Sequence, residues 1–401
     1  MLEELDRVDW ARLGHAYGPA VDVPDQIRAL RSPEADVRRK ARGKLYGNIF
    51  HQGTRYEATA YAVPFLLEIL AAADSADRSD LIGLLTAVAV GYDESWLPDG
   101  LPIAEHRRAA VGGDILLAAA PHPGDDDFDE DEGDFRYIES LSGQEQDQLF
   151  AHVAVTAYDA VRAGVPLFRA LLTDSDLVVR TMAAYALAWF PEDAADSLRA
   201  LAAVAASSSD PIDAVVSATA LVAIGLLGGQ PAGAGLDDSR PLVRWGAAIA
   251  LARIDGSHAG RAVVDELLVW AGGDTDRDSR IPFLGGDRAG YAGRALGQVG
   301  VQHADAAFDA LLARIPTVSG MEALPIVGEA LRVAFPAGRL PDHTPFTALD
   351  DRQRRLIHTL AQSPATWRIN DAIFANFSSL IHSYGLPPSN DALQRYAGTN
   401  P

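Results

Sequence analysis

The sequence predicts an all-α fold: a right-handed α-solenoid, a superhelix of stacked helical pairs. Three observations predict it. First, a short pattern recurs. "AVPFLLEIL" (62–70), "GVPLFRALL" (164–172) and "ALPIVGEAL" (323–331) share a small residue, a proline and apolar positions at helical spacing. Second, Val-Arg-x-x-Ala-Ala-x-Ala-Leu at 179–187 returns as "VRWGAAIAL" at 243–251, with weaker copies at 216–224 and 288–296 and a basic version at 36–45. Third, no sustained period-two alternation of β-branched and aromatic residues marks a strand, while Gly91, Pro191, Gly228-Gly229, Gly272-Gly273, Gly300, Pro316 and Pro336 supply helix stops.

Each unit reads as a helix, a short Asp/Gly/Pro turn and a second helix whose small alanines let neighbours approach closely. No such unit buries its apolar face alone, so the units stack. The reading divides the chain into four stretches: an N-terminal helical segment at 1–120, an acidic loop at 121–135, a repeat array at 136–349 and a C-terminal helical cap at 350–401. All four belong to one continuous solenoid. "GGDTDRDSRIPFLGGD" (272–287) interrupts the array, and insertions of this kind cluster on the binding face of repeat proteins.

"VPLFRALLTDSDLVVRTMAAYALAWF" resembles a HEAT repeat of the PBS-lyase-like subtype, in which the first helix carries an early proline and the second opens with Val-Arg. The chain from about residue 30 to its end is similar to HEAT-repeat-domain proteins of actinobacteria. The matching segments are "GNIFHQGTRYEATAYAVPFLLEIL", "AYDAVRAGVPLFRALL", "AYALAWFPE", "VRWGAAIALARI" and "YGLPPSNDALQRYAG". The resemblance implies a HEAT/armadillo-like superhelix that serves as a scaffold or binding module without assigned chemistry.

Composition limits the function classes. A net charge of −21 disfavours nucleic acid, because neutralisation of phosphates drives that binding. The chain has no cysteine, which removes disulfides, thiol nucleophiles and thiolate-ligated zinc. The start, MLEELDRVDW, lacks the apolar run of a signal peptide, and the apolar run Ala214 to Leu227 is shorter than the ~20 residues of a membrane helix. A cytoplasmic protein away from membranes is the expectation. No G-x-S-x-G, H-E-x-x-H, P-loop or G-x-G-x-x-G occurs, so no catalytic residue, metal ligand or cofactor is assigned.

Several residue groups invite a site. Residues 125–134, DDDFDEDEGD, hold eight acids. Asp127, Asp129 and Asp131 alternate as in a calcium loop, but Gly133 and Glu139 fall one position late for an EF-hand, so a solvated acidic linker or a partner-binding tail is expected. The arginines after valine (Arg180, Arg244 and, by analogy, Arg288 and Arg38) stand where each reaches a turn aspartate or carbonyl, with Asp176, Asp238 and Asp36 near; a structural ladder is expected, with an anion-binding ladder on the inner surface as the alternative. Trp189, Trp245, Trp270 and Trp367 are expected to be buried between repeats.

The candidate binding residues lie around the basic helix at 28–44 and the segment "NIFHQGTRYEATAYAVPFL" (48–66). In that segment Thr54 and Glu57 suggest a capping box, Gly53 a turn and Pro64 a helix kink. Asn48, His51, Gln52, Arg55 and Tyr56 are not needed by a helical hinge. Either they satisfy one another and seal the N-terminal end, or with Arg38 and Arg42 they contact a ligand. The expected function is non-catalytic binding of another protein, including an immunity or adaptor role in which the acidic chain masks a basic effector. The alternatives are a lyase-like subunit for a tetrapyrrole or nucleotide, and a nucleic-acid binder.

Overall fold

The computed structural model describes residues 2–72, 77–122, 125, 135–206, 210–231, 235–273, 277–320, 323–369 and 372–398 of the 401-residue chain. Asp127, Asp129 and Asp131 lie outside these residues, as do Asp274 and Asp276. Among the described residues the protein is all-α. Its strands are three two-residue hairpins: Gly14–His15 with Gly18–Pro19, Phe50–His51 with Thr54–Arg55, and Arg368–Ile369 with Ala372–Ile373.

The chain forms two compact units. One comprises Met1–Trp96 and Gly100–Ala200; the other comprises Leu97–Asp99 and Leu201–Pro401. The first holds α1 (Val23–Ala29), α2 (Ala35–Ile49), α3 (Glu57–Ala71), α4 (Arg78–Val90), α5 (Ile103–Ala109), α6 (Gly113–Ala119), α7 (Phe135–Ser140), α8 (Gly143–Arg162), α9 (Val165–Leu171) and α10 (Leu177–Leu187). The long α8 packs on α3, α4, α5 and α6, and α10 packs on α4 and α9. The division at Ala200 and Leu201 falls within α11 (Ala194–Ala206).

The second unit holds α12 (Ala214–Leu226), α13 (Pro241–Asp255), α14 (Arg261–Gly272), α15 (Arg288–Leu296), α16 (Ala304–Arg314), α17 (Ala323–Ala334), α18 (Asp351–Ala361), α19 (Ala375–Ser383) and α20 (Asn390–Ala397). Here each helix packs on its sequence neighbour or next neighbour: α12 on α13, α13 on α14, α14 on α15 and α16, α15 on α17, and α17 on α18. The small residues set the spacing of the first pair. A β-carbon on Gly225 would lie 2.6 Å from Ala250 Cα, and one on Gly246 would lie 2.6 Å from the Ala218 carbonyl oxygen. The C-terminal cap starts at Asp350, whose carboxylate accepts the Gln353 N–H at 2.8 Å while the Gln353 amide oxygen accepts the Asp350 N–H at 3.1 Å.

The valine-preceded arginines make the same local bond three times. Arg38 Nη1 donates to the carbonyls of Ser32 and Pro33 at 2.9 and 3.0 Å. Arg180 Nη1 donates to those of Asp174 and Ser175 at 2.9 and 3.5 Å. Arg244 Nη1 donates to those of Asp238 and Ser239 at 2.9 and 3.4 Å. In each case the arginine is the fourth residue of its helix and grips the turn six and five residues back. Arg38 Nε continues to Asp77 at 2.8 Å, and Arg244 Nε to Glu266 at 3.3 Å. The carbonyls, rather than Asp36 or Asp176, are the anchor: Asp36 pairs with Arg39, and Asp176 caps α10 through the Val178 N–H. Arg288 departs from the pattern. It opens α15, lies 5.3 Å from the Trp270 ring centroid and faces Asp278 at 3.8 Å.

Trp189 and Trp245 are fully buried and Trp367 nearly so, whereas Trp270 is half-buried and donates to Glu266 at 2.9 Å. Two expectations need correction. The described part of the 272–287 insertion is not an open binding loop. Ile281 and Phe283 are each 1% exposed, and Asp278 N–H bonds Gly286 C=O at 3.1 Å. Pro64 is also unlike its counterparts. Pro166 and Pro325 stand in the first turn of α9 and α17, but Pro64 is interior to α3 and faces solvent.

Candidate binding site

The segment that drew attention in the sequence is a β-hairpin followed by a helix start. Phe50 pairs with Arg55 and His51 with Thr54, so Gln52 and Gly53 are the two loop residues. Both have positive φ, +50° and +89°, as a type I′ turn requires. Gly53 is well suited to this: a side chain there would also meet the Tyr92 ring at 3.1 Å. Gln52 accepts the left-handed conformation without being glycine and is exposed at the tip.

The capping box at Thr54 and Glu57 does not form, because the helix starts later than that reading requires. Thr54 is in the hairpin and α3 begins at Glu57. The cap is supplied by Thr59, which is fully buried. Its hydroxyl accepts the Tyr56 N–H at 2.8 Å and donates to the Ile49 carbonyl at 2.7 Å, tying the end of α2 to the start of α3. Glu57 instead faces His122 at 3.6 Å.

The seven candidate residues are not gathered into one site. Arg38 is turned inward onto its turn carbonyls and Asp77. Asn48 is buried and its side-chain amide donates to Asp22 at 3.0 Å and Gln26 at 3.4 Å. Asp22 also receives Gln26 and His15, and the Asn48 carbonyl receives the Ala16 N–H at 3.0 Å. Asn48 is therefore a strut that holds α1 and the first hairpin against α2. His51 Nδ1 is 3.2 Å from the Tyr17 hydroxyl, and the two rings meet edge to face. Asn48, His51 and Arg55 each bond outside the group rather than to one another. Tyr56 is half-buried at the helix start.

Arg55 points another way. Its Nη1 donates to the Gly53 carbonyl at 2.8 Å, its Nε is buried without a partner, and no carboxylate faces it among the described residues. Burial pulls its pKa down to about 10. The same burial, with the Arg55 charge beside it, lowers the pKa of His106.

Of the seven, Arg42 opens onto a groove. The groove has a volume of about 490 Å³, and Arg39, Arg42, Tyr46 and Val178 form its sides. Gly43 and Gly83 keep its walls low; nothing lies within 4 Å of a β-carbon built on Gly43. Arg42 is held by Asp80 at 2.9 Å, and Arg39 by Asp36 at 2.7 Å. Tyr46 is 40% exposed and Val178 55% exposed, so an aromatic and an aliphatic side chain stand open beside two guanidiniums. Sequence reasoning named Arg42 but missed Tyr46 and Val178. The signal was there: Arg39, Arg42, Gly43 and Tyr46 share one face of a helix, opposite the buried Ala41, Leu45 and Asn48.

The one described acid of 125–134, Asp125, accepts the His122 N–H and pairs with Arg12, each at 3.0 Å; the first bond and then the second lower its pKa. Among the described residues no group of His, Asp and Glu is placed to hold a metal ion, and no helix is long and apolar enough to cross a membrane.

No family model matches the chain, and no curated protein matches it. Among solved structures, an engineered protein of known crystal structure aligns over 93% of this chain and 99% of its own, with 19% identity and a TM-score of 0.28. At that score the likeness carries no argument about fold or function.

Proposed function

We propose that this protein is a non-catalytic binding module of the HEAT-repeat kind, whose helical pairs follow one another as a right-handed solenoid and whose α2 groove holds a segment of another protein. The threefold arginine clamp supports the repeat reading, since a turn reproduced bond for bond is what duplicated units retain. The observation that carries the function is the groove itself. Tyrosine and arginine are the residue types that dominate binding hot spots, and here both stand at the mouth of an apolar trough. Exposed Lys40 and Lys44 extend the positive charge along α2 of a chain that is otherwise strongly acidic. The partner segment then carries an apolar anchor flanked by acidic residues. An immunity or adaptor role is compatible with this arrangement.

The test is affinity capture from the native host with the wild type and with Tyr46→Ala and Arg39→Glu, followed by identification of the retained protein. One partner should be retained by the wild type, lost by both variants at unchanged melting temperature, and released as salt rises. A partner retained equally by all three proteins would reject the groove as its site.

A further inference from the structure

A second cavity, of about 580 Å³, lies wholly within the C-terminal unit, between α15, α17, α19 and the Leu97–Asp99 segment that belongs to that unit. Sequence reasoning assigned nothing to it. Its polar groups are arranged unequally. Glu329 is buried and occupied: Arg332 Nε and Nη2 grip its carboxylate at 2.8 and 2.6 Å. Gly297 permits this, because a β-carbon there would lie 2.4 Å from both Arg332 Nη2 and Glu329 Oε1.

Two donors are left over. Arg332 Nη1 has no partner among the described residues, and neither has the Tyr384 hydroxyl. Gln298 Oε1 accepts no hydrogen bond either, but protein atoms cover it and it does not face the cavity. The orientation of this amide is set by its nitrogen, which donates to Asp99 Oδ1 at 2.9 Å and to the Pro98 carbonyl at 3.5 Å. Beside these groups Leu324, Pro325 and Leu380 supply an apolar wall, and Gly328 leaves the α17 surface bare there.

These groups select a ligand by elimination. Two free donors, one of them a guanidinium N–H, suit a carboxylate. A phosphate, with three oxygens and nearly two charges, would need more donors and would meet the fields of Glu329 and Asp99. Arg294 also lines the cavity, with its Nη1 held by the Leu97 carbonyl at 3.0 Å, and the exposed Asp99 carboxylate is the group that favours a positive N–H on the ligand. The apolar wall takes a hydrocarbon body, and the volume is in the range of small-molecule sites. We propose that this cavity binds a free α-amino acid with an apolar side chain: its carboxylate on Arg332 Nη1 and the Tyr384 hydroxyl, its ammonium beside the Asp99 carboxylate, and its side chain against Leu324 and Leu380.

The test is calorimetric titration of the full chain with L-valine, L-leucine, L-isoleucine, L-methionine and L-phenylalanine, with 4-methylpentanoate and inorganic phosphate as controls. At least one amino acid should bind with a Kd below about 1 mM, and 4-methylpentanoate, which lacks the ammonium, should bind at least about tenfold more weakly than L-leucine. Arg332→Gln should weaken binding about tenfold or more, as loss of a charged hydrogen bond does. Tyr384→Phe removes one hydroxyl from a half-exposed position and keeps the ring, so it should weaken binding severalfold at unchanged melting temperature and carries the test if Arg332→Gln fails to fold. No amino acid binding tighter than about 1 mM, phosphate binding in their place, or an affinity that Tyr384→Phe leaves unchanged would each overturn the assignment.

Discussion

Glu192 in the N-terminal unit and Glu329 in the C-terminal unit are both glutamates drawn partly or wholly out of water, yet they titrate in opposite directions. Burial raises the pKa of Glu192, but the Tyr158 hydroxyl at 2.6 Å and Arg107 Nη2 at 2.7 Å, with Arg162 at 3.5 Å, outweigh it and leave the pKa depressed. Glu329 is more deeply buried; Arg332, three residues along its own helix, grips it, and Arg294 of α15 also acts to lower its pKa. Burial wins there and the pKa is raised. The depth of burial set against the hydrogen bonds each carboxylate receives decides the sign. Glu192 receives arginines from α5 and α8 and so ties two helices to the turn after α10. Glu329 ties nothing but its own helix, and its carboxylate is held at the edge of a cavity.

Removing Glu192 is the strongest way to break this comparison. Glu192→Ala strips the carboxylate from two arginines and from the hydroxyl of Tyr158, whose pKa is raised by burial and then by that same bond. A loss of about 1–3 kcal/mol in chemical denaturation is expected, discounted from the fully buried case because Glu192 keeps some contact with water. A change under a few tenths of a kcal/mol would mean that Asp159 alone satisfies Arg107.

The pH dependence sharpens the contrast. A depressed carboxylate contributes stability above its unfolded pKa and loses it as pH falls through the folded value. Glu192 should therefore contribute to acid destabilisation below about pH 4.5, the ordinary value of the side chain. A raised carboxylate does the reverse: its contribution is complete below that value and is lost as pH rises through the folded pKa. Melting curves from pH 3 to 7 on Glu192→Gln and Glu329→Gln should separate the two, with Glu192→Gln less acid-sensitive than wild type and Glu329→Gln more so. Parallel curves for both variants would contradict the opposed shifts.

The smallest expected effect is Glu329→Gln at neutral pH. It removes a charge that burial disfavours, and the freed Arg332, 55% exposed, is hydrated in its place. A change of less than about 1 kcal/mol is expected, and a loss above about 2 kcal/mol would show that the ion pair is a net support.

The helices and their turns were legible because they are local. Val-Arg spacing, the alanine runs of α10 and α13 and the acid at Asp350 each specify bonds within a few residues. The hairpin at His51–Thr54 was not read, although Gln52-Gly53 permits a two-residue turn, because two strand residues on either side carry no alternation to detect. The proposed site dissolved for a different reason. Asn48, His51 and Arg55 are close in sequence, but the end of α2 sends Asn48 toward α1, and the hairpin sends His51 toward Tyr17 and Arg55 toward the Gly53 carbonyl. Arg42 kept its place because helical periodicity alone sets the face it shares with Tyr46. The cavity around Glu329 was invisible, since Asp99 and Arg332 are more than 200 positions apart and no periodicity links them.

The arginine clamp has a consequence for how the protein assembles. Every bond from Nη1 spans six residues or fewer, so each turn closes a small loop whose entropic cost is low. The joints between helices can therefore form before distant helices meet, and contacts of short sequence separation favour fast folding. Each joint is also self-contained. A segment that carries an Asp-Ser-x-x-x-Val-Arg stretch brings the geometry of its turn with it, without the neighbouring helices having to supply the corner.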